Sequence, residues 1–238
     1  MRETLVFGAS SYYEIYDLVI DINQSLPKVD KIKIIGLLDD NKDLKEKNIL
    51  GAIVLGKLKD YHKFSNSDTF FIFGIGSHKS HLLRREIILN LGIEHEKFLT
   101  LIHPSVKVFS SSKIGYGCII HFGTIIFNNT IIGPFNVIMA LTVIGANNII
   151  GEGCLITSKV STTNGVKIGN FSFLGTLTAV SENIEIAPGS KISMCSFVRN
   201  NSKPGEFVFS NPSKSVKMNL IDNQIINDWN QFKKTNLL

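Results

Sequence analysis

Three short segments in the first 100 residues have residue types that could bind a nucleotide. Each follows an apolar run: Gly8-Ala9-Ser10-Ser11 follows Leu5–Phe7, Asp39-Asp40 follows Ile32–Leu38, and Gly74-Ile75-Gly76 follows Thr69–Phe73. Glycine lets a phosphate approach the main chain, and an acid after a strand commonly contacts a ribose hydroxyl. Taken singly, a simple strand-to-helix turn or a solvated turn would explain each segment, since the first is not a GxGxxG pattern. Together they favour a nucleotide site at the edge of a parallel sheet.

These segments need a sheet that brings the three strand ends together. Apolar residues recur at helical spacing from Tyr12 to Ile22 and from Leu82 to Leu91, and Ile53–Leu55 indicates a short edge strand. Strands separated by helices predict that residues 1–100 form a small open α/β sheet of Rossmann type.

A six-residue period replaces this pattern in the second part of the chain. From Ile102 to Val198 every sixth residue is aliphatic except Thr162, and the fifth place of most hexads holds a small residue. This period predicts a parallel β-helix in which each hexad is one short strand and one corner. Three hexads would complete a triangular coil, so that each strand pairs with the strand eighteen residues later.

The composition narrows the classes of ligand and location. The 238 residues include 25 basic and 20 acidic ones, a net charge of +5 without a dense basic run, which favours small anionic ligands over nucleic acid. No run of eighteen apolar residues predicts a membrane span, and residues 1–7 enter a strand without a signal peptide, so we expect a cytoplasmic protein. Three cysteines without metal-ligand spacing give no reason to expect a metal.

Two segments of the chain carry a family resemblance. Leu101-Ile102-His103-Pro104-Ser105 joins the α/β region to the hexads, and the hexads close with the segment from Lys203 to Lys214, which contains Asn211-Pro212-Ser213-Lys214. In this order the chain resembles the hexapeptide-repeat nucleotide-sugar acyltransferases of bacteria, which include sialic acid O-acetyltransferases and the N-acetyltransferases of bacillosamine and perosamine pathways. The resemblance implies a left-handed β-helix and a homotrimer. It divides the chain into a nucleotide-sugar domain (residues 1–100), an acyltransferase β-helix (101–218) and a C-terminal amphipathic helix (219–238), which we expect to pack on the trimer.

The resemblance also implies where two substrates bind. The nucleotide sugar would lie on the first domain, and acyl-CoA, most simply acetyl-CoA, would lie along the β-helix in a groove between two subunits. Matched positions for the nucleotide sugar are Gly8, Ser10, Ser11, Tyr12, Asp39, Asp40, Gly74 and Ile75, with Tyr12 in the place of a loop histidine that contacts the sugar. Matched positions for CoA are Leu155, Asn164, Gly165 and Thr176.

The chain departs from the family at the catalytic segment. The family places a histidine and an acid after an aliphatic pair, whereas this chain has Ala146 and Asn147 there, and Leu155 replaces a second histidine. His121 is the only histidine inside the coils. It lies twenty-four residues before the catalytic corner's Ile144, on a different face, so we expect it to reach a site only across a subunit boundary; a solvated surface histidine is the simpler interpretation. Asn147 remains a candidate because an amide can hold a hydroxyl or polarise a carbonyl.

Three functions follow from these features. An amine has a lone pair and can attack a thioester without a general base, so the missing pair favours N-acylation of a nucleotide-linked amino sugar by orientation alone. A sugar O-acetyltransferase with a relocated base is the second hypothesis. The third is a trimer that binds nucleotide sugar without catalysis, since a fold does not fix a function.

Overall fold

The computed structural model describes residues 1–209, 214–217 and 222–236. The first part of the chain is a five-stranded sheet with two helices; the sequence predicted four of these strands and both helices. Its elements are β1 (Arg2–Phe7), α1 (Tyr12–Ser25), β2 (Ile32–Leu38), β3 (Asn48–Ile49), β4 (Ala52–Gly56), β5 (Phe70–Phe73) and α2 (Leu83–Leu91), with short 3-10 turns at Lys42–Leu44, Leu58–Lys63 and His95–Lys97. The strand order is β3-β4-β2-β1-β5, and only β3 runs antiparallel to its neighbour.

Two details differ from the sequence prediction. The strand expected at the sheet edge, β4, pairs with β2 on one side and with the two-residue β3 on the other, so β3 forms the edge. Helix α1 continues beyond Ile22 to Ser25 and ends where Leu26 is extended before Pro27. The residue before a proline is sterically disfavoured in helical conformation, which explains where this helix stops.

Seventeen two-residue strands form the coils of the second part. They are β6 (Leu101–Ile102), β7 (Lys107–Val108), β8 (Lys113–Ile114), β9 (Ile119–Ile120), β10 (Ile125–Ile126), β11 (Ile131–Ile132), β12 (Val137–Ile138), β13 (Val143–Ile144), β14 (Ile149–Ile150), β15 (Leu155–Ile156), β16 (Ser161–Thr162), β17 (Lys167–Ile168), β18 (Phe173–Leu174), β19 (Ala179–Val180), β20 (Glu185–Ile186), β21 (Lys191–Ile192) and β22 (Phe197–Val198). β23 (Glu206–Phe209) and β24 (Lys214–Lys217) extend one face. Residues 210–213 of the closing segment lie outside the described residues.

The pairing confirms three hexads per coil. Every strand from β6 to β19 pairs in parallel with the strand eighteen residues on, as Ile131 does with Ile149. We call the three faces face 1 (β6, β9, β12, β15, β18, β21), face 2 (β7, β10, β13, β16, β19, β22) and face 3 (β8, β11, β14, β17, β20). The chain turns from face 1 to face 2, then to face 3, and back to face 1.

The interior of the coils is mainly apolar, and Thr162, the one polar residue at an aliphatic place of the hexads, has its hydrogen bonds satisfied. The aliphatic residues of the hexads form one buried cluster, with buried small residues such as Thr124 and Thr142 beside them. Thr162 takes the aliphatic place in its hexad, and its Oγ1 accepts hydrogen bonds from Asn148 Nδ2 at 2.6 Å and from the Gly145 amide at 3.1 Å. A buried polar side chain is tolerated when its hydrogen bonds are made, so the period survives this substitution.

Face 1 packs against the α/β domain. Leu101, Ile119 and Val137 of face 1 belong to the same hydrophobic cluster as Ile15 and Leu18 of α1. Arg84 of α2 also reaches across this junction and is fully buried. The two domains therefore meet along one face of the coils, and face 1 becomes the wall of any cavity between them.

The C-terminal helix packs within one chain, and the expectation that it also packs on a trimer stays a prediction. Helix α3 (Asn223–Asn236) packs on its own chain. Trp229 is buried and its Nε1 donates to Glu185 of face 3 at 3.2 Å, while Arg85 of α2 contacts both Asp222 and Asp228. Helix α3 thus joins face 3 to α2 within one subunit, because its apolar side, which includes Ile225, finds an intrachain groove. None of the helices in the described ranges is long and apolar enough to cross a membrane.

Candidate active site

The three predicted strand ends line one cleft of about 370 Å³. Its lining includes Gly8, Ser10, Ser11, Asp39, Asp40, Gly74 and Ile75, which were expected from the sequence, together with Leu58, Gly76, Ser77, Ser80 and Ile87. The cleft also contains the start of α1, since Ser11 is the N-cap of that helix. Free main-chain amides at a helix N-terminus favour anions, so the cleft combines features that suit a phosphate.

The two acids of the cleft have different environments. Asp39 accepts hydrogen bonds from the Ala9 amide at 2.8 Å and from the Asn41 amide at 2.9 Å, so both its carboxylate oxygens are used by the main chain. Asp40 is exposed, and only its Oδ1 has a partner among the described residues, the Leu58 amide at 3.1 Å. Asp39 therefore shapes the glycine loop, whereas Asp40 has an oxygen left for a ligand hydroxyl.

The backbone of the cleft is close-packed where the glycines lie. Gly8 has a φ of +99°, which L-residues with a side chain rarely adopt, and a Cβ on Gly74 would stand 2.5 Å from Ser11 Oγ. Glycine is thus required at both strand ends. These contacts hold the ends of β1 and β5 together and form one continuous floor for the cleft.

The prediction that Tyr12 contacts the sugar is wrong for this structure. Tyr12 is 2 % exposed and packs in the core with Tyr16, at 5.9 Å between ring centroids. It is the first residue of α1, and its side chain points away from the cleft, whereas Ser11, Glu14 and Ile15 line a cavity on the cleft's side. Burial also raises the pKa of Tyr12, which agrees with a core position.

A second cavity of about 280 Å³ lies between the domains. Ser11, Glu14, Ile15, Gly74, Gly76, Ser77 and His78 line it from the α/β side, and Ile119, His121, Val137, Met139, Leu155, Ile156, Thr157 and Phe173 line it from face 1. It shares Ser11, Gly74, Gly76 and Ser77 with the nucleotide cleft. The two spaces are therefore adjacent compartments separated by one glycine-rich loop.

His121 lies in this cavity, which corrects the expectation that it could act only across a subunit boundary. It begins the turn that follows face 1, and face 1 is the side that the chain's own α/β domain covers. Burial, and to a lesser extent the nearby His103, lowers the pKa of His121, so the ring is neutral at pH 7. A neutral imidazole can accept a proton. Its catalytic role stays a prediction.

Two corners of the coils matter for the chemistry. We call the turns after face 1, which include residues 121–124, 139–142, 157–160 and 175–178, the histidine corner. The turns after face 2, which include residues 127–130, 145–148 and 163–166, are the asparagine corner. On the asparagine corner Asn147 has a φ of 57° and exchanges side-chain hydrogen bonds with Asn129 at 3.2 Å and Asn164 at 2.7 Å. Asparagine tolerates this left-handed conformation, which gives Asn147 a structural reason to be present.

The predicted CoA residues do not form one group within a subunit. Leu155 lines the interdomain cavity, and Thr176 is on the histidine corner, where its Oγ1 lies 3.2 Å from Thr157 Oγ1. Asn164 and Gly165 are on the asparagine corner. A CoA site that uses all four would have to span two corners, so this prediction stays untested within one subunit.

Sequence reasoning missed the two ionisable residues Glu14 and His78 of the cavity. Glu14 stands three residues after Ser11 on α1, and this helical spacing places both on one side of the helix, which was a usable signal. His78 follows the Gly74–Gly76 loop and lies on the cavity side of it, with its ring 6.4 Å from that of Phe173. Nothing in the sequence alone distinguishes His78 from other loop histidines.

Comparisons with known proteins place this architecture. Residues 123–158 match the family model for bacterial transferase hexapeptide (six repeats). No curated protein matches the sequence of the chain. Among solved structures, the acetyltransferase domain of PglB from Neisseria gonorrhoeae FA1090 is 18 % identical with a TM-score of 0.75, over 91 % of this chain and 100 % of that one.

Two further solved structures share both domains. A histidine-to-asparagine variant of perosamine N-acetyltransferase from Caulobacter crescentus, in complex with CoA and GDP-perosamine, is 19 % identical with a TM-score of 0.75, over 92 % of this chain and 98 % of that one. WeeI from Acinetobacter baumannii AYE is 19 % identical with a TM-score of 0.72, over 91 % and 100 %. The resemblance seen in the sequence is therefore confirmed: this chain contains the bacterial transferase hexapeptide repeat and has the fold of these acetyltransferases, a Rossmann-like domain followed by a left-handed β-helix.

Proposed function

We propose that the protein is an acyl-CoA-dependent N-acyltransferase that acylates the amine of a nucleotide-linked amino sugar, with acetyl as the acyl group. One observation carries the proposal. The nucleotide cleft and the interdomain cavity share the Gly74–Gly76 loop, so a ligand whose nucleotide lies in the cleft can extend its sugar toward face 1 of the β-helix. The second substrate would meet the sugar there.

The properties of the fold relatives support the same pair of substrates. Perosamine N-acetyltransferase from Caulobacter crescentus was solved with CoA and GDP-perosamine, and the acetyltransferase domain of PglB with acetyl coenzyme A. In this chain the cleft offers main-chain amides, one partly free carboxylate and glycine loops, and the cavity offers mainly apolar walls. The cleft suits a phosphate and a ribose, whereas the cavity suits a deoxy sugar and an acyl group.

The chemistry of an amine explains how the reaction proceeds without the usual base pair. The unprotonated amine attacks the thioester carbonyl, the carbon–sulfur bond breaks, and the departing thiolate takes the proton that nitrogen loses, so the products are an amide and CoA thiol. Alignment of two bound reactants can supply roughly 7–11 kcal/mol of the barrier. The replacement of the family's histidine and acid by Ala146 and Asn147 then removes no essential step, because no residue at the asparagine corner must accept a proton.

The decisive experiment compares amino sugars with their hydroxyl counterparts. Purified protein is incubated with acetyl-CoA and UDP-, GDP- or dTDP-linked 4-amino sugars, and products are measured by mass spectrometry, since Cys195 is exposed and would react with thiol reagents. We expect acetylation of at least one amino sugar, none of the matched hydroxy sugars, and a rate that rises with pH until the substrate amine is deprotonated. Acetylation of the hydroxy sugars alone would contradict the proposal.

The position of His121 favours a second candidate, O-acetylation with a relocated base. A hydroxyl must lose its proton as it attacks, and a neutral imidazole in the same cavity as the sugar could accept it. A protein that bound nucleotide sugar tightly and released no CoA with either class of sugar would instead be a binding protein.

The nucleotide assignment has its own test. Asp40→Ala should weaken nucleotide-sugar binding about tenfold and leave acyl-CoA binding unchanged, because only the first ligand would use the cleft. Asp39→Ala should also weaken it, but with a lower melting temperature, since Asp39 holds the Ala9 and Asn41 amides. Calorimetry that shows equal losses for both ligands, or none, would refute this assignment.

We extend the proposal to a homotrimer that works in surface-polysaccharide synthesis. Phe122, Leu141, Leu177 and Met194 are exposed on the turns after face 1 and form an apolar ridge, which the exposed Lys159 interrupts between Leu141 and Leu177. Such ridges mark contacts between proteins, and we assign this one to further copies of the chain. The double variant Leu141→Asn, Leu177→Asn removes two apolar side chains and introduces asparagine, which tolerates the left-handed backbone at both positions. It should dissociate the assembly, and light scattering measures the change in mass. A monomeric wild type would refute the trimer.

A further inference from the structure

Arg84 is the feature of the domain junction that the proposed reaction leaves unexplained. It is completely buried, and its guanidinium is bonded to main-chain carbonyls alone among the described residues. Burying a cation without a carboxylate costs free energy unless every donor direction is used. A plain apolar side chain would fill the same space at lower cost, so the arrangement indicates a role in geometry.

The three carbonyls come from three different segments. Nη1 donates to Ile75 O in the loop after β5, Nη2 donates to Phe135 O at 2.5 Å, and Nε donates to Gly153 O at 3.1 Å. Phe135 and Gly153 occupy the same place in two consecutive coils, at the turn from face 3 to face 1. The planar guanidinium thus joins the loop of one domain to two layers of the other.

The surroundings of the guanidinium hold it in one orientation. Its carbon lies 5.0 Å from the ring centroid of Phe73, the last residue of β5, and Phe73 packs edge-on against Phe135. A Cβ on Gly76 would stand 2.6 Å from Arg84 Nη1 and 3.0 Å from Leu155 Cδ2. Gly76 of the loop is therefore packed closely against both Arg84 and Leu155, a residue of the cavity wall.

We infer that Arg84 is a positioning residue for acyl transfer: it fixes the Gly74–Gly76 loop, the wall shared by the nucleotide cleft and the interdomain cavity, to two coils of the β-helix. The inference rests on the proposed function. Arg84 lines neither space, so it does not contact substrate. Its effect is on the distance and angle between a sugar held by one domain and a thioester held by the other.

This role predicts a change in kcat rather than in binding. A misplacement of about 1 Å can cost on the order of 10²-fold in rate. We expect Arg84→Met to lower kcat about 10²-fold while the Kd of the nucleotide alone changes less than about threefold. Arg84→Lys keeps the charge but replaces the planar fork of donors by a single nitrogen, which cannot reach all three carbonyls, so it should recover only part of the lost kcat.

Two further variants separate positioning from simple loss of stability. Gly76→Ala keeps Arg84, but the added Cβ would stand too close to Arg84 Nη1 and to Leu155, so these side chains must shift away from the loop. It should therefore lower kcat in the same way even if Arg84→Met does not fold. Arg85→Met is the matched control: Arg85 is the next residue on α2, yet it pairs with Asp222 and Asp228 of α3. It should lower the melting temperature and leave kcat within about threefold of wild type.

Hydrogen exchange gives a readout that does not depend on catalysis. In Arg84→Met and Gly76→Ala, amides of residues 74–77 should exchange faster, while those of β1 and β2 should not. Unchanged kcat and unchanged exchange in both variants would overturn the inference, and so would parallel losses of kcat, nucleotide affinity and melting temperature. If the wild type transfers no acyl group, the proposed function fails. The positioning role then fails with it, even if hydrogen exchange shows that Arg84 holds residues 74–77 in place.

Discussion

The histidine corner and the asparagine corner belong to the same coils but differ in what covers them. The α/β domain covers face 1, and His121 is buried to 8 % exposure in a cavity, whereas Asn147 is exposed and its amide is satisfied by neighbouring asparagines. A hexapeptide repeat makes all corners alike in backbone geometry. The chemistry at each corner is therefore decided by the domain that lies over it.

This comparison changes how the missing base pair is interpreted. The sequence shows only that the asparagine corner lacks a histidine and an acid. The structure adds that the corner is occupied by a hydrogen-bonded asparagine ladder, and that His121 lies elsewhere, in the cavity that Gly74 and Gly76 also line. The histidine of the coils that lies in the cavity beside the predicted nucleotide site is thus on a different corner from the one that family resemblance indicates.

The comparison of the two corners assumes that both belong to one β-helix with a water-free apolar interior. Ile144→Asp places a charge at a position with 0 % exposure, and we expect it to prevent folding, because no partner inside the coils can compensate the charge. Leu141→Asp, three residues earlier on an exposed corner with a φ of 60°, is the matched control and should remain soluble. Solubility and the melting temperature of both variants test this prediction. An Ile144→Asp protein with the melting temperature of the wild type would contradict the β-helix.

The roles of the two corners can be compared by removing His121. If the amine reacts by orientation alone, His121→Asn should change kcat/KM by less than about tenfold, which is about 1.4 kcal/mol. A 10²–10⁴-fold loss of kcat/KM is typical of the removal of a general base and would favour the relocated-base mechanism instead. Asn147→Gly serves as the partner variant, since glycine keeps the left-handed backbone while the amide is removed.

The asparagine corner should respond in stability instead. Asn147→Ala places a Cβ in a left-handed conformation without the asparagine's local hydrogen bonds, so it should destabilise the protein by about 1 kcal/mol more than Asn147→Gly does. Chemical denaturation of both variants measures the difference. Equal stability of the two would show that backbone conformation is not why asparagine occupies this corner.

The smallest expected effect concerns the turns after face 3, where Glu152 lies near Asp228 of α3. Burial, and then Asp228, raise its pKa to about 7 from an ordinary 4.5, against the opposing effects of Arg85 and Arg84. The folded state holds this proton more tightly than the unfolded chain, so the stability it contributes is complete below about pH 4.5 and is lost as pH rises through about 7. Glu152→Gln should therefore raise Tm relative to wild type by roughly 2–4 °C at pH 8.

The measurement needs both ends of that window. At pH 4 to 5 the two proteins should melt alike, because Glu152 is then protonated in the folded state. A constant difference in Tm from pH 5 to pH 8 would mean that Glu152 does not titrate in this range.

Much of the fold could be predicted because it depends on local periodicity. The hexads determined the coil, its eighteen-residue pairing and its interior, and the apolar runs located β1, β2, β5 and both helices of the first domain. Strand ends in a parallel sheet meet at one edge, so the cleft residues were predicted together. The prediction for Tyr12 failed because the place of a residue directly after a loop does not specify the direction in which the first side chain of a helix points.

The sequence by itself therefore determined which residues repeat, which point inward and which strand ends converge, because these follow from the period of a strand and a coil. Only the tertiary structure decided which face the α/β domain covers, and with it the interdomain cavity, the position of His121, the path of α3 and the burial of Arg84. The physical reason is that these features depend on contacts between residues far apart in the chain, such as Arg84 and Gly153, which are 69 positions apart, and no local pattern encodes how two finished surfaces dock.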